Sequence, residues 1–436
     1  MSDGAVRAED LLLTLLIVCW ALAYTIGRLR RRRPDFNIGL PIAVGVGLRL
    51  LAVAAINATG SLQSDLRGGD EQTFLALARS LASTPWGSGF LPHGPYQLQT
   101  VVFAGQLKLA DVSTTTLRVT QIGIATLGVI LILAAVYDLA GDRPARLAGW
   151  LLAFEPASIF FNSEIHKEPL MVLASGLVVF GATKIWQRLD FYGVILAGLG
   201  ALVAIETRAY AGWFLVGATV LLLLHAAMRR LDRPGRALPV LYAIAVAAFL
   251  VTPTLLSISS NTNLQALNRS QAYTTGQQAA TNTGGANSDN LADESVDFST
   301  RGAVITSLPK RVFDLVLRPF PWQLQDPSQQ LGAVGSMAAL TVMFLLLGYA
   351  WKSRGHVLAA TAPILYPLVF LLIAYSLSAG NAGTGFRYRT HLVVLGVAMV
   401  VVLRERLLHA RAETPELAFS APQAAPRPFD STVLGV

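Results

Sequence analysis

The chain is predicted to be an all-α polytopic membrane protein that crosses the bilayer about eleven times. Two features of its composition and one of its charge pattern lead there. Its mean hydropathy is +0.52, with 53% hydrophobic residues. Only 14% of its residues are charged, where a soluble domain carries roughly 25%. The formal charge of +8 is not spread as a nucleic-acid footprint would be. It sits in short clusters at every second connection between apolar runs, which is the positive-inside pattern.

Runs long enough for a hydrocarbon core of about 30 Å follow one another along the chain. They fall near 11–27, 38–58, 117–139, 146–161, 169–184, 191–206, 211–228, 237–258, 332–350, 357–376 and 390–404. The first run has no small-residue cleavage site ahead of the arginines, so it reads as a retained span and not a signal peptide. The basic connectors are RLRRRRP (28–34), GDRPAR (141–146), KIWQRLD (184–190), RRLDRPGR (229–236), WKSRGH (351–356) and RERLLHAR (404–411). Placing all of them in the cytoplasm puts the N-terminus outside and the C-terminus inside; the Ala-, Arg- and Gly-rich composition and the short loops add the expectation of a bacterial plasma membrane. The one cysteine, Cys19, lies in an apolar run and excludes disulfides and cysteine-rich metal sites.

The opposite side then receives two long segments, 59–116 and 259–331, and three short ones. The organisation expected is an N-terminal transmembrane module over 1–258, an outer loop over 259–331, C-terminal spans over 332–411 and a disordered cytoplasmic tail over 412–436. Within the second long loop, Asn261 to Asp289 is rich in Asn, Thr, Gln, Gly and Ser. The stretch SLPKRVFDLVLRPFPWQLQ after it reads as an interfacial amphipathic helix with a Pro-aromatic anchor at Pro319 to Trp322.

The ionisable residues that cost most in a membrane collect on this outer side. Asp65, Asp70 and Glu71 stand before an apolar-periodic helix. The acidic pair suits either a helix start, through the dipole, or a general base. Glu164, His166, Lys167 and Glu168 sit at the mouth of two spans, either as a self-neutralising cluster or as working groups, with Glu155 deeper in the apolar run. Glu206 and Arg208 share a very short turn. They suit an internal ion pair, or an arginine turned toward an anionic head group. Arg387, Tyr388, Arg389 and His391 open the last span on the side opposite the basic connectors, where a phosphate would give two arginines a reason. No Walker loop or strand-linked GxGxxG is present, so nucleotide is not indicated.

The run from GGDEQTFLALARSLA to FFNSEIHKEPL resembles the N-terminal half of polytopic glycosyltransferases of the C-type (GT-C) fold. Protein mannosyltransferases and aminoarabinose transferases are the relatives in view. The resemblance rests on Asp70-Glu71, Ala78-Arg79, Leu117-Arg118, Gly141 to Ala145, and Pro156 followed by Glu164 and Lys167-Glu168. It implies a GT-C bundle with extracytoplasmic amphipathic helices and a donor sugar carried on a polyprenyl phosphate. The acceptor would be an envelope glycan, lipid or protein outside the cytoplasm, and transfer would invert the anomeric carbon. Asp70, with Glu71 next, is the candidate base. Arg208, Arg387 and Arg389, backed by His166 and Lys167, are candidates for the lipid phosphate. Asp65, Glu164 and Glu168 would orient the acceptor or hold a divalent cation such as Mg or Mn. The rival readings are an O-antigen-type polymerase or ligase using a polyprenyl-pyrophosphate glycan, and a non-enzymatic lipid or solute transporter.

Overall fold

The computed structural model describes residues 8–58, 70–87, 90–92, 97–230, 301–318, 320, 327–379 and 382–413. Among these, all regular structure is helical. In chain order the helices are α1 (Ala8–Arg30), α2 (Gly39–Ala58), α3 (Asp70–Ala82), α4 (Leu98–Ala110), α5 (Thr114–Ala140), α6 (Asp142–Ala153) and α7 (Pro156–Phe161). They continue as α8 (Glu168–Arg188), α9 (Phe191–Thr207), α10 (Ala209–Met228), α11 (Arg301–Leu317), α12 (Pro327–Lys352), α13 (Val357–Ser378) and α14 (Ala382–Glu413). Seven of the described helices, namely α1, α2, α5, α8, α10, α12 and α13, are long and apolar enough to cross a membrane. The apolar α9 is shorter, at 17 residues. The span expected at 237–258, the loop from Asn261 to Asp289 and the tail after Glu413 lie outside the described residues, as does Asp65. The span expected at 390–404 lies within the longer α14.

One expected span is corrected. The run 146–161 is two helices, broken at Phe154 and Glu155. Glu155 takes an extended conformation and its carboxylate accepts from the backbone of Ala157 at 3.2 Å and of Ser158, capping α7, while Pro156 fills the first helical position. A residue before proline is disfavoured in the helical region, so the Glu-Pro pair stops α6. Arg49, buried midway along α2, donates to Ser158 Oγ at 2.6 Å and to the Gly45 carbonyl at 2.8 Å. Non-helical backbone at membrane depth needs such protein partners.

The bundle is built around α5 and α8. In their most apolar stretches 78% and 83% of the residues are buried, against 6% in α1. Without a hydrophobic drive between helices in lipid, close approach needs small residues. Gly128 and Gly176 supply it, because a Cβ on Gly176 would stand 2.4 Å from the Gly128 carbonyl oxygen. Gly181, Gly193 and Gly200 do the same between α8 and α9.

The basic connectors gather at one end. Arg33 grips Asp138 at 2.7 and 2.5 Å, Gln187 donates to the Asp138 carbonyl at 2.6 Å, and Arg230 donates to the Trp186 and Gln187 carbonyls at 3.0 and 2.5 Å. Arg406 reaches the Leu139 carbonyl at 3.3 Å. Along α5 that end is about 30 Å from Arg118, taking 1.5 Å per residue.

Helix α11 corresponds to the expected amphipathic stretch but begins earlier, at Arg301. It is docked on the bundle rather than lying apart from it. Buried Arg311 donates to the carbonyls of Ser376, at 2.6 Å, and Ala379. Those are groups at the end of α13 that lack helical partners.

Candidate functional site

At the end opposite the basic connectors, the segment 162–167 links α7 to α8 without forming a helix. Asn162, Ser163, Glu164, His166 and Glu168 are all buried there. A buried polar turn needs partners, and the bundle provides them. Gln121 of α5 donates to the His166 carbonyl at 2.7 Å, Asn162 donates to Ser158 Oγ at 2.8 Å, and Ser163 donates to the Arg49 carbonyl at 3.1 Å.

The helix starts only at Glu168, so Glu164 and Glu168 do not share a helical face. Each carboxylate has its own partner. Glu164 meets His166 Nε2 at 2.8 Å, and Glu168 meets Arg208 Nη2 at 2.5 Å. Lys167 lies with its ammonium 5.3 Å from the Phe74 ring centroid.

Arg208 ends α9 in an extended conformation (φ −148°, ψ 88°), which turns it inward instead of leaving it in the loop. The internal ion pair within the ETR turn does not form, because Arg208 reaches Glu168 on α8 and not its neighbour Glu206. Its guanidinium also stands 4.6 Å from the Tyr388 ring centroid. Tyr388 takes a 2.5 Å hydrogen bond from Tyr210 and stacks on Tyr375 at 4.4 Å, and Tyr375 lies 5.5 Å from His391. Arg387 is half-buried at the start of α14, and His391 Nε2 lies 3.3 Å from the Glu168 carbonyl oxygen. Around this group Glu168 Oε2, Arg208 Nη1 and His391 Nδ1 are buried with no hydrogen-bond partner. Buried polar atoms are seldom left so, and a set of them in one cluster marks a place where water or a ligand belongs.

The two other predicted site groups are placed differently. Arg389 is buried and bonds Ser336 Oγ, the Arg318 carbonyl and the Gly385 carbonyl, so it braces α14 against α12 and the end of α11. Asp70 begins α3, and the structure describes no more of it than that. Glu71 is fully engaged. Its Oε1 lies 2.6 Å from Arg118 Nη2 and its Oε2 accepts from the Ile165 backbone at 3.3 Å, while Arg118 also donates to Asn57 at 2.5 Å. With both oxygens held, Glu71 acts as a tether that seats α3 on the 162–168 segment. Glu71→Ala leaves Arg118 buried without its counter-ion. It is expected to release α3, read as faster hydrogen exchange over 70–82 with little change at α8.

Glu164 is paired with His166, and Glu168 is paired with Arg208 through Oε1 alone. Among the described residues no three of His, Cys, Asp or Glu come together to hold a metal ion.

Sequence reasoning missed Tyr210, Tyr375, Gln121 and Asn57. None carries a charge, and the partners of the tyrosines lie far along the chain. No protein-family model, curated protein or solved structure was found to match this chain.

Proposed function

We propose that this chain is a membrane glycosyltransferase of the GT-C type that moves a sugar from a polyprenyl-phosphate donor to an extracytoplasmic acceptor. The observation that carries the reading is Arg208. It is buried, clamped by Glu168 and Tyr388, keeps Nη1 without an acceptor, and lies at the end of the bundle where Glu71 seats the helix that begins with Asp70. By the positive-inside pattern that end faces out of the cytoplasm of a bacterial cell.

The chemistry follows from what transfer demands. The acceptor hydroxyl must lose its proton as its oxygen bonds the anomeric carbon, and Asp70 is the carboxylate assigned to take it. The bond from that carbon to the phosphate oxygen breaks on the opposite face, so the anomeric centre inverts. The departing lipid phosphate gains negative charge, which Arg208 and Arg387 stabilise in a site already organised by Glu168 and the tyrosines. His166 and Lys167 lie on the same segment, and Arg389 contributes by holding α14.

A second reading, an O-antigen-type polymerase or ligase, gains from the engagement of Glu71. That leaves one acidic residue of the pair, beside a well-built cluster of arginine, histidine and tyrosine. Purified protein supplied with polyprenyl-phosphate or polyprenyl-pyrophosphate sugars and extracted envelope acceptors decides between them. Asp70→Asn is expected to lower transfer from the monophosphate donor by about 100-fold or more, the usual size of a lost general base. Turnover of the pyrophosphate donor that survives Asp70→Asn would instead favour the polymerase or ligase. No turnover of either donor by the wild type would sink both.

A further inference from the structure

Between α3 and α4 the described residues 83–87 and 90–92 carry an exposed apolar tip. Trp86 is 57% exposed, Leu91 65%, and Leu109, near the end of α4, 78%. The tip is a built object. Trp86 and Phe90 pack with ring centroids 4.4 Å apart, and the Lys108 ammonium stands 5.4 and 5.5 Å from those two centroids. The same ammonium donates to the Ala82 carbonyl at 3.0 Å and to the Thr84 carbonyl, pinning the end of α3 to α4. Leu91 follows Phe90 and Leu109 follows Lys108 in the chain, so exposed apolar side chains flank this fixed support, as at an interaction surface.

The level of the tip says what covers it. Asn57 at the end of α2 donates to Thr115 at the start of α5 at 3.0 Å, so two membrane-spanning helices end side by side. Leu109 precedes the start of α5 by only a few residues, with a left-handed turn at Asp111 between them. Tryptophan with lysine, at the height where spans end, is the composition of the membrane interface.

We propose that Trp86, Phe90, Leu91 and Leu109 form an anchor that dips into the interfacial layer of the bilayer beside α2 and α5. Helix α3 is then held at both ends, by Glu71 in the bundle and by this tip in the lipid. The anchor does not depend on the transferase reading.

The single cysteine makes the test direct. Cys19→Ser supplies the background, and Trp86→Cys, Leu91→Cys and Leu109→Cys each carry a nitroxide in nanodiscs of phosphatidylethanolamine and phosphatidylglycerol. Gln72→Cys, on an exposed position of α3, is the aqueous control. Power saturation is expected to show the tip labels more accessible to oxygen than to a water-soluble nickel chelate, at a depth of about 5–10 Å. Labels that behave like the Gln72 control overturn the proposal. So do labels shielded from both reagents, which would mean a protein partner, and labels whose accessibility changes on adding free saccharide, which would mean a sugar platform.

Discussion

Glu168→Ala is expected to destabilise the protein by about 3–5 kcal/mol, the cost of stripping a buried charge of its partner. The reason lies in the burial of both ends. Glu168 is wholly buried and the Arg208 side chain nearly so, and their 2.5 Å contact is what makes a guanidinium tolerable there. Arg208→Ala should cost a similar amount, since it leaves the carboxylate alone. Thermal unfolding in detergent measures both. The double variant Glu168→Gln with Arg208→Met is the informative control, because replacing a buried pair as a unit is often neutral or stabilising. If the pair exists only to hold α8 against α9 and α10, the double variant recovers stability and keeps function. If Arg208 meets the lipid phosphate, stability returns while sugar transfer stays lost.

Gly176→Leu should prevent the bundle from assembling. A Cβ on Gly176 would stand 2.4 Å from the Gly128 carbonyl oxygen and 2.9 Å from the Gly128 Cα, and one on Gly128 would stand 2.5 Å from the Val172 carbonyl oxygen. These neighbours are backbone of the two most buried helices, so neither can swing aside as a flexible side chain would. The result expected is loss of the folded, detergent-stable species on size-exclusion chromatography. Gly47→Leu is the matching control, since a Cβ at Gly47 meets nothing within 4 Å. Equal behaviour of the two variants would refute the close crossing of α5 and α8. Overpacking of this kind commonly costs about 1–3 kcal/mol when side chains can give. Backbone against backbone gives far less room.

Much of the architecture could be read from local pattern. The apolar runs that became α1, α2, α5, α8, α10, α12 and α13 were found because span length is a property of consecutive residues. The basic connectors marked one end for the same reason, and Arg33, Arg230 and Arg406 do lie there. The break at Glu155 was also local, written in the Glu-Pro pair, but the apolar stretch around it masked the signal. What hydropathy cannot register is a residue that leaves a helix to cap the next one.

The site was legible as a set of unusual residues and not as a set of contacts. That Glu168, Arg208 and His391 are too polar for their surroundings follows from the sequence alone, because burying charge in a membrane demands a reason. Which groups answer that demand was settled by tertiary structure. Arg208 finds Glu168 across 40 residues, Tyr210 finds Tyr388 across 178, and His391 lies by the Glu168 carbonyl across 223. Periodicity reports only neighbours within a turn or two of helix, so no local rule reaches such distances. The sequence determined that this protein is a helical membrane bundle with its basic connectors at one end and costly charges at the other. Packing decided that Glu71 and Arg389 hold helices in place while Arg208 keeps a nitrogen without an acceptor, because only the folded bundle determines which donors and acceptors come within hydrogen-bonding reach.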